Sequence, residues 1–545
     1  MSQADRKLWF DLGTSGSVSS DRSKLAAMDL REGKSSRPPL PPLPAWELAL
    51  CFLVWFGHAI YAWYLMWKVS AQLEGRLYSG FFEPGWRLFG HRLRDTANYE
   101  WTSWLPSLPL ELAGFVLHVV ATRLVERVVV DKSKSQAVLT VVWTFIVWLK
   151  LGGVGVASTF VHGALMLAAA RLTQWKLAVW LCACCLLSTL ATDWYPLTKG
   201  DHDLAYRFAV YVAYKLLHFI SFCLHDIDAK RGKLKTEEDE ESVLYPSTVS
   251  AYYALIRYTL YPPYSATLIV TYSDFVQQWS QRQSTRPDCK RIGLMCVRLV
   301  VWTLLNEFVL HYIYTNAMIV DHYLLAEVDL VILCSIGYTA GQFFHMKYVS
   351  IFGVNTVFAL LDGMSPPNWP PICISRVALY SNMWRYFDRG LYSFLRDHLF
   401  VPLAQPSFSI WRRSVASMVC FGFVWLWHGM SWGFLYWVAM NFVEVTLENV
   451  AKEVYRMPAV YRSVNTTLSP VNVRRARALL HVVCISWGIF SIFYFLGGSS
   501  VGHVFVQRLV VGEGLTLHFP LLYLVVLGYF YAQCCMETEA RMGKI

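Results

Sequence analysis

A histidine lies between two long apolar runs in the C-terminal half of the chain. His428 stands at the junction of residues 415–428 and 430–447, in the sequence Trp427-His428-Gly429. A histidine is unfavourable in hydrocarbon, so we expect its ring to face a polar cavity or a partner. A neutral imidazole can take a proton from a reacting group near neutral pH. We therefore predict that His428 is a general base.

Two arginines indicate how deep in the membrane that histidine lies. Arg412 and Arg413 stand just before the first apolar run, where basic residues are typical of a membrane surface. His428 follows Arg413 by 15 positions. At 1.5 Å per helical residue, this spacing places the imidazole roughly 22 Å from that surface. The chemistry is therefore expected to take place inside the bilayer.

An acidic residue precedes the histidine by 40 positions and is the second candidate for chemistry. Asp388 ends the segment Met-Trp-Arg-Tyr-Phe-Asp at residues 383–388. Its neighbours Arg385 and Arg389 favour the ionised carboxylate. That carboxylate could orient His428, hold an arriving amine, or only anchor Arg385, and the sequence does not rank these three roles.

The composition indicates a protein that crosses a membrane several times. Hydrophobic residues make up 55% of the 545 positions and charged residues only 16%, whereas soluble domains carry about 25% charged residues. The mean hydropathy is +0.36. These values predict an all-α, polytopic membrane helix bundle.

The charge and the cysteines exclude other classes of protein. The net charge of +10 does not indicate a nucleic-acid partner, because the basic residues lie in short loops between apolar runs. The 13 cysteines show neither paired metal-site spacings nor a disulfide framework. The first 44 residues are polar, so no cleavable signal peptide is expected.

Composition shifts divide the chain into three parts. Residues 1–44 form a Ser-rich, Pro-terminated arm that is predicted to be disordered and cytosolic. Residues 45–535 form the multi-span domain, and residues 536–545 form a short cytosolic tail. The predicted apolar helices cover residues 46–67, 105–124, 137–170, 176–193, 206–225, 293–320, 324–356, 415–428, 430–447, 478–496 and 517–535.

Three stretches interrupt this pattern. The glycines at 152–155 predict a bend inside the run 137–170. Residues 261–264, Tyr-Pro-Pro-Tyr, break an apolar run, and broken backbone at membrane depth must be buried in protein, so we predict a re-entrant segment. Residues 226–243 form the longest charged loop and are expected to be solvated and mobile.

The combination of motifs around the two candidate residues resembles the membrane-bound O-acyltransferase family. Trp-His-Gly at 427–429 follows Met-Trp-Arg-Tyr-Phe-Asp at 383–388, and Asn441 lies beyond both. This combination is most similar to the hedgehog acyltransferase branch of the family, from Leu43 to about Gln533. The family often has Gly-Pro shortly after the Tyr-Pro-Pro-Tyr break, whereas Ser-Ala-Thr stands at 265–267 here.

The resemblance implies a reaction and a set of functional residues. Palmitate would pass from palmitoyl-CoA to the N-terminal amine of a Cys-initiated secreted protein of the hedgehog type. His428 would be the base and Asp388 the second catalytic residue. Trp384 and Arg385 are expected to contact the acyl thioester. Asn441 could donate an N–H to the thioester oxygen, or it could instead join two helices.

The same resemblance implies a haem b group. Cys373 lies 15 positions before Asp388, where hedgehog acyltransferases carry the cysteine that ligates haem iron. A thiolate is a known axial ligand of haem iron. Without the resemblance, a single cysteine in apolar surroundings predicts core packing.

The predicted topology brings two substrates from opposite sides of the membrane. Palmitoyl-CoA is cytosolic, and its anionic headgroup is expected near Arg389, Arg396, Arg412 and Arg413. A secreted acceptor would arrive from the lumen of the endoplasmic reticulum or Golgi. An internal tunnel would let both substrates reach His428. Both termini are predicted to be cytosolic.

Three other functions are compatible with the sequence. A relative within the same family could acylate a serine hydroxyl of a secreted protein. A polytopic transporter also carries intramembrane His, Glu and Lys residues, although no inverted repeat is evident. A non-catalytic regulator would lack the motif histidine, and His428 is present.

Overall fold

The computed structural model describes residues 40–190, 201–232, 245–265, 267–282, 287–512 and 519–542. Most of the predicted arm and the end of the predicted tail therefore lie outside the described residues. The described chain is helical apart from one antiparallel pair of short strands, β1 (Phe82–Pro84) and β2 (Leu93–Asp95). This architecture confirms the predicted all-α class.

The helices follow one another with short connections. They are α1 (Ala45–Leu73), α2 (Tyr99–Val128), α3 (Lys132–Thr173), α4 (Lys176–Leu190), α5 (His202–Lys230), α6 (Thr248–Leu260), α7 (Tyr272–Gln281), α8 (Cys289–Tyr312), α9 (Thr315–Ile319), α10 (His322–Glu327), α11 (Leu330–Leu361), α12 (Tyr380–Tyr386), α13 (Arg389–Leu395), α14 (Val401–Ala404), α15 (Ile410–Trp427), α16 (Trp432–Arg456), α17 (Pro458–Thr467), α18 (Pro470–Val506) and α19 (Phe519–Met542). The π-helical segments Arg396–Phe400 and Gln507–Val511 follow α13 and α18.

Eight helices of the described chain are long and apolar enough to cross a membrane, as a polytopic protein requires. They cover Ala45–Arg76, Tyr99–Val128, Lys132–Thr173, His202–Lys230, Cys289–Tyr312, Leu330–Leu361, Pro470–Val511 and Phe519–Arg541. The predicted apolar runs 415–428 and 430–447 form α15 and α16, which are not among these eight. The two helices that flank His428 are thus more polar than the spans around them.

The predicted helix over 293–320 is wrong in its second half, where the chain breaks between α8 and α9. The backbone N–H of Tyr314 donates to Ser70 Oγ at 3.0 Å. The N–H groups of Asn316 and Ala317 both donate to Asp95 Oδ2 at 3.0 Å. These tertiary acceptors replace the intrahelical carbonyls for the three backbone N–H groups at the break.

The predicted bend in the run 137–170 is confirmed at Gly152, which has φ 64° and ψ −163° inside α3. A second bend that was not predicted lies at Gly498 in α18, with φ 81° and ψ −173°. The start of α16 packs against this second bend. A Cβ on Gly433 would lie 2.8 Å from the Tyr494 carbonyl oxygen and 2.9 Å from Gly498 Cα. Glycine therefore sets the distance between α16 and α18.

The Tyr-Pro-Pro-Tyr break is buried in protein, as its place at membrane depth requires. Residues 261–264 are all buried between helices. Tyr261 Oη donates to Asp362 Oδ2 at 2.8 Å, and Asp362 also accepts from Arg282 at 3.1 Å. The irregular backbone is thus held by a buried polar cluster and does not face lipid.

The charged loop differs from the prediction in its first residues. Helix α5 continues to Lys230, and Asp226 is buried in an ion pair with Arg171 at 2.6 Å. The expectation of a solvated loop is therefore wrong for residues 226–230, because a buried arginine neutralises the carboxylate. The acidic half of the loop lies outside the described residues.

A close backbone contact at Gly390 positions helix α13 against the broken segment. A Cβ at Gly390 would lie 2.3 Å from the Ile269 carbonyl oxygen. We expect Gly390→Ala to displace α13 and lower the free energy of unfolding by about 1–3 kcal/mol. The measurement is thermal unfolding of the detergent-purified protein.

Gly422→Ala is the matched control, because a Cβ at Gly422 in α15 meets no atom within 4 Å. This control should unfold at the wild-type temperature or slightly above it, since alanine favours helix. Equal unfolding temperatures for the two variants would contradict the packing assigned to Gly390.

Candidate active site

His428 lies in the turn that joins α15 to α16. Its backbone N–H donates to Val424 O at 3.0 Å, which closes the last turn of α15. Gly429 then reverses the chain with φ 93°, a conformation that favours glycine at a helix C-terminus. Ser431 begins α16, and its Oγ accepts from Phe434 N at 3.3 Å. The Trp-His-Gly sequence thus forms the end of α15 and the turn that leads into α16.

Four aromatic rings enclose the imidazole of His428. The ring-centroid distances are 4.9 Å to Trp427, 5.2 Å to Phe434, 5.3 Å to Trp437 and 5.6 Å to Phe495. The side chain is nevertheless only partly buried. Apolar surroundings disfavour the imidazolium ion, so burial lowers the pKa of His428 and favours the neutral ring.

Trp384 connects the Met-Trp-Arg-Tyr-Phe-Asp segment to this enclosure. Its ring stacks on Trp437 at 5.5 Å with an interplanar angle of 28°. Its Nε1 donates to Asn441 Oδ1 at 2.8 Å. The two sequence motifs therefore meet in space, as their combination predicted.

Asn441 is completely buried and its amide group is fully engaged. Its Nδ2 donates to Trp437 O at 2.6 Å and to Ser491 Oγ at 3.1 Å, while its Oδ1 accepts from Trp384. Both N–H bonds have partners, so the geometry corresponds to the helix-joining alternative. Asn441 fixes the position of Trp384 between α16 and α18.

Asp388 reaches the same enclosure from the other side. Its Oδ1 accepts from Leu391 N at 2.9 Å and caps α13. The preceding Phe387 stacks on Phe344 at 5.3 Å, and Phe344 packs on Phe495 at 5.4 Å. Phe495 also contacts His428, but no hydrogen bond joins the Asp388 and His428 side chains.

The arginines beside Asp388 contact tyrosine rings. The Arg385 guanidinium lies 5.7 Å from the Tyr392 ring centroid, and that of Arg389 lies 5.4 Å from the Tyr386 ring. Such cation–π contacts hold each guanidinium against a ring face.

The arginines predicted to receive the coenzyme A headgroup have local partners. Arg396 Nε lies 2.7 Å from Asp397 Oδ1, and Arg413 Nη2 lies 2.7 Å from Glu453 Oε1. Arg412 Nη1 donates to Gln405 O at 2.6 Å. A phosphate group would have to share Arg396 and Arg413 with carboxylates, and Arg412 with a backbone carbonyl.

Glu100, at the start of α2, is a polar neighbour of the site that the sequence analysis did not identify. It accepts from Tyr348 Oη at 2.9 Å and forms an ion pair with Lys347. Its charge is close enough to act on the His428 ring and on Tyr214. No motif surrounds Glu100, and only its hydrogen bond to a residue far along the chain reveals it.

Cys373 lies in the loop before α12, beside an apolar cavity of about 250 Å³. The next two residues, Ile374 and Ser375, line this cavity together with glycines and aromatic rings of α11 and α18. Arg376 follows, and its buried Nε has no hydrogen-bond partner within the described part of the chain. The Cys373 thiol beside this apolar cavity, with the Arg376 guanidinium available for an anionic group, has the donor chemistry that a thiolate-ligated haem requires.

Comparison with known proteins identifies the family to which this sequence is similar. A sequence profile described as the membrane-bound O-acyltransferase family matches residues 164–491, which is more than half of the chain. The matched range contains Asp388, His428 and Asn441.

Several curated relatives are also similar to this chain. The mouse protein-cysteine N-palmitoyltransferase HHAT is 28% identical over 501 residues, covering 90% of this chain and 97% of the mouse protein. The Drosophila melanogaster protein-cysteine N-palmitoyltransferase Rasp is 33% identical over 255 residues, covering 46% and 50%. A mouse HHAT-like protein is 26% identical over 532 residues, covering 92% and 96%. The chain therefore belongs to the membrane-bound O-acyltransferase family and is a multi-pass membrane acyltransferase.

Proposed function

We propose that this protein transfers palmitate from palmitoyl-CoA to the N-terminal amine of a Cys-initiated secreted protein of the hedgehog type. The support is the similarity, along 90% of the chain, to a protein named for that activity. The single structural observation that carries the proposal is the position of His428. It is enclosed by aromatic rings but not sealed, and it lies where the two sequence motifs meet.

The reaction forms an amide and breaks a thioester. The lone pair of the amine attacks the thioester carbonyl carbon, an N–C bond forms, and the C–S bond breaks. Coenzyme A leaves as a thiol after taking up the proton that the amine loses. An N-terminal amine has a pKa of about 7.7–8.0, so a neutral imidazole can accept this proton near neutral pH.

His428 would carry that proton between the two substrates. Its aromatic enclosure keeps the ring neutral before the reaction. The nearby carboxylate of Glu100 would stabilise the imidazolium ion while it exists. Together these neighbours favour a base that is uncharged at rest and charged only briefly.

The residues of the Met-Trp-Arg-Tyr-Phe-Asp segment would hold the acyl thioester and the amine. Trp384 offers an indole face that Asn441 fixes in place. Arg385 adds a cation in the same short helix, α12. Asp388 would hold the arriving ammonium or orient the histidine, since its second carboxylate oxygen is not needed to cap α13.

The two substrates would reach this point from opposite sides of an endoplasmic reticulum or Golgi membrane. The acyltransferase domain would span residues 45–535, with the arm 1–44 and the tail 536–545 in the cytosol. An acyl-CoA would enter on the cytosolic side, and the secreted acceptor would approach through a tunnel from the lumen. A hydroxyl acceptor on serine is the second possibility within the family, and the acceptor peptide distinguishes the two.

We expect His428→Ala to lower palmitoyl transfer by at least about 10²–10⁴-fold, because the amine loses its base. The assay measures coenzyme A release and the mass of a Cys-initiated peptide incubated with palmitoyl-CoA. His503→Ala is the matched control, because His503 in α18 is exposed and its Nδ1 bonds to the backbone oxygen of Ser499, one turn earlier. Wild-type rates in the folded His428→Ala protein would remove the base assignment.

The acceptor is tested with three peptides: one that begins with a free Cys, an N-acetylated copy of it, and an N-blocked peptide that contains Ser. The first peptide should gain a palmitoyl group on its amine, whereas the N-acetylated copy should gain none. A Ser-containing, N-blocked peptide that is acylated instead would establish the hydroxyl acceptor and overturn the proposal.

We expect Asp388→Asn to lower the transfer rate by about 10²-fold or more without a change in unfolding temperature. Asparagine is also a good N-cap, so the bond from Leu391 N is retained while the charge is lost. Asp388→Ala should lose the cap as well and destabilise the protein by about 0.5–2 kcal/mol. Full activity in Asp388→Asn would show that the Asp388 carboxylate only caps α13 and has no catalytic role.

Cys373 would hold a haem through its sulfur, with the Arg376 guanidinium beside it for an anionic substituent. The group would supply a redox-active iron at the cavity, separate from the groups assigned to acyl transfer. The purified protein should then show a Soret absorption band that Cys373→Ala abolishes. Cys334→Ala, at a cysteine that lines the same cavity, should keep the band. A wild-type protein without the band would end the haem proposal.

A further inference from the structure

Two glutamates and a cysteine come together between α16 and α18, outside the residues assigned to acyl transfer. Glu444 and Glu448 lie one turn apart on α16, and Cys484 faces them from α18. One carboxylate oxygen of each glutamate and the Cys484 sulfur all lie within 4.8 Å of one another. The set combines two oxygen donors with one sulfur donor.

Glu444 has no hydrogen-bond partner in the described part of the chain. Its side chain is only 1% exposed, and neither Oε1 nor Oε2 accepts a hydrogen bond. An unpaired buried carboxylate is strongly unfavourable, so a charge or a proton must compensate it. Its oxygens point at Glu448 and Cys484, and neither of these can donate to it while ionised.

The carboxylate of Glu448, in contrast, accepts hydrogen bonds from neighbouring residues. Its Oε1 accepts from Tyr380 N at 2.6 Å, and its Oε2 accepts from Ser381 Oγ at 2.5 Å and from Lys452 Nζ at 3.4 Å. Both oxygens of Glu448 therefore have donors, whereas the neighbouring oxygens of Glu444 have none. The contrast between the two glutamates shows that the missing partner belongs on the Glu444 side.

Gly488 leaves the space that this arrangement needs. A Cβ at Gly488 would lie 2.3 Å from the Tyr380 ring and 3.1 Å from Glu444 Oε2. Glycine therefore lets the carboxylate lie between the helices. A larger residue would push it away from Cys484, four positions earlier in α18.

We propose that Glu444, Glu448 and Cys484 bind a zinc ion. Zinc takes carboxylate oxygen and thiolate sulfur at about 2.0–2.3 Å, so donor atoms within 4.8 Å of one another reach one ion after a small side-chain rotation. Sulfur among the donors favours zinc over magnesium or calcium, which prefer oxygen alone. Water would complete the tetrahedron.

The charges around such an ion balance, which matters inside a membrane bundle. Two carboxylates and a thiolate carry three negative charges, and zinc together with Lys452 supplies three positive ones. Without the ion, Lys452 pairs with Glu448, and Glu444 needs a proton to compensate its burial. The two states differ in metal content, so direct analysis separates them.

The ion would fix the segment that carries Trp384. Glu448 binds the first residues of α12, and Trp384 lies on that short helix. Asn441, which bonds to Trp384, lies one turn before Glu444 on the same buried face of α16. Zinc would therefore tie α12, α16 and α18 together beside the active site, as a structural ion.

The test is elemental analysis of the full chain, purified in detergent with a histidine-free tag and without chelator. About one zinc ion per chain is expected, and Glu444→Gln and Cys484→Ser should each lose it. After exchange into cobalt, a thiolate-to-cobalt absorption band should be present in the wild type and absent in Cys484→Ser. These readouts do not depend on acyl transfer, so failure of the proposed function leaves them intact.

Two controls make the result specific. Glu453→Gln changes a glutamate of the same helix that pairs with Arg413, and Cys296→Ser changes an exposed cysteine. Both should keep the zinc. A metal-free wild type, with Glu444→Gln as stable as the wild type, would overturn the proposal in favour of a protonated Glu444. Zinc retained in both site variants would also overturn it.

Discussion

The hydrogen bond from Trp384 to Asn441 is the contact on which the active-site geometry depends. It joins α12, which precedes Asp388, to α16, which follows His428. Asn441 in turn bonds to Ser491, so three elements distant in sequence meet at one buried amide. Such a fully engaged polar group is stable inside a bundle only while every partner stays in place.

The same constraint, that polar groups inside a membrane must find partners in the protein, governs the rest of the fold. Arg171 neutralises Asp226, and Arg282 neutralises Asp362 beside the Tyr-Pro-Pro-Tyr break. Arg94 pairs with the completely buried Glu307 at 2.7 Å and ties the two-stranded sheet to α8. Each pair allows irregular or charged structure to lie where hydrocarbon alone would exclude it.

The aromatic residues around His428 affect both its charge and its position. They surround the imidazole with apolar surface, which disfavours its charged form, and their contacts connect one motif to the other. Trp437 touches both His428 and Trp384, and Phe495 touches both His428 and Phe344. His428 and the Asp388 segment are therefore positioned by the same set of rings, although no hydrogen bond joins their two side chains.

The helical class and the bend at Gly152 could be predicted from sequence, because apolar length and glycine spacing are local signals. The two motifs were connected only through the family resemblance, since no local signal shows that they meet. The break at Tyr314 could not be predicted, since it depends on acceptors from Ser70 and Asp95 that are more than 200 positions away. The hydrogen bonds of the Asn441 amide likewise depend on partners from other helices, so they could not be predicted from sequence.

Polar residues that lie near the candidate site but belong to no sequence motif also could not be predicted. Glu100 approaches His428 only because α2 packs near α11, where Lys347 and Tyr348 bind it. Cysteine spacing along the chain argued against a metal site, yet Cys484 meets two glutamates of a different helix. Spacing rules detect ligands that share a local segment, and they miss ligands that two packed helices bring together.

Phe344 belongs to two parts of the molecule at once. It lines the apolar cavity beside Cys373, it stacks on Phe387, which precedes Asp388, and it meets Phe495, which contacts His428, edge to face. A group bound in that cavity would contact a ring whose other neighbours lie beside the two catalytic candidates. Phe344 is thus the side chain that connects the cavity wall to the surroundings of both residues.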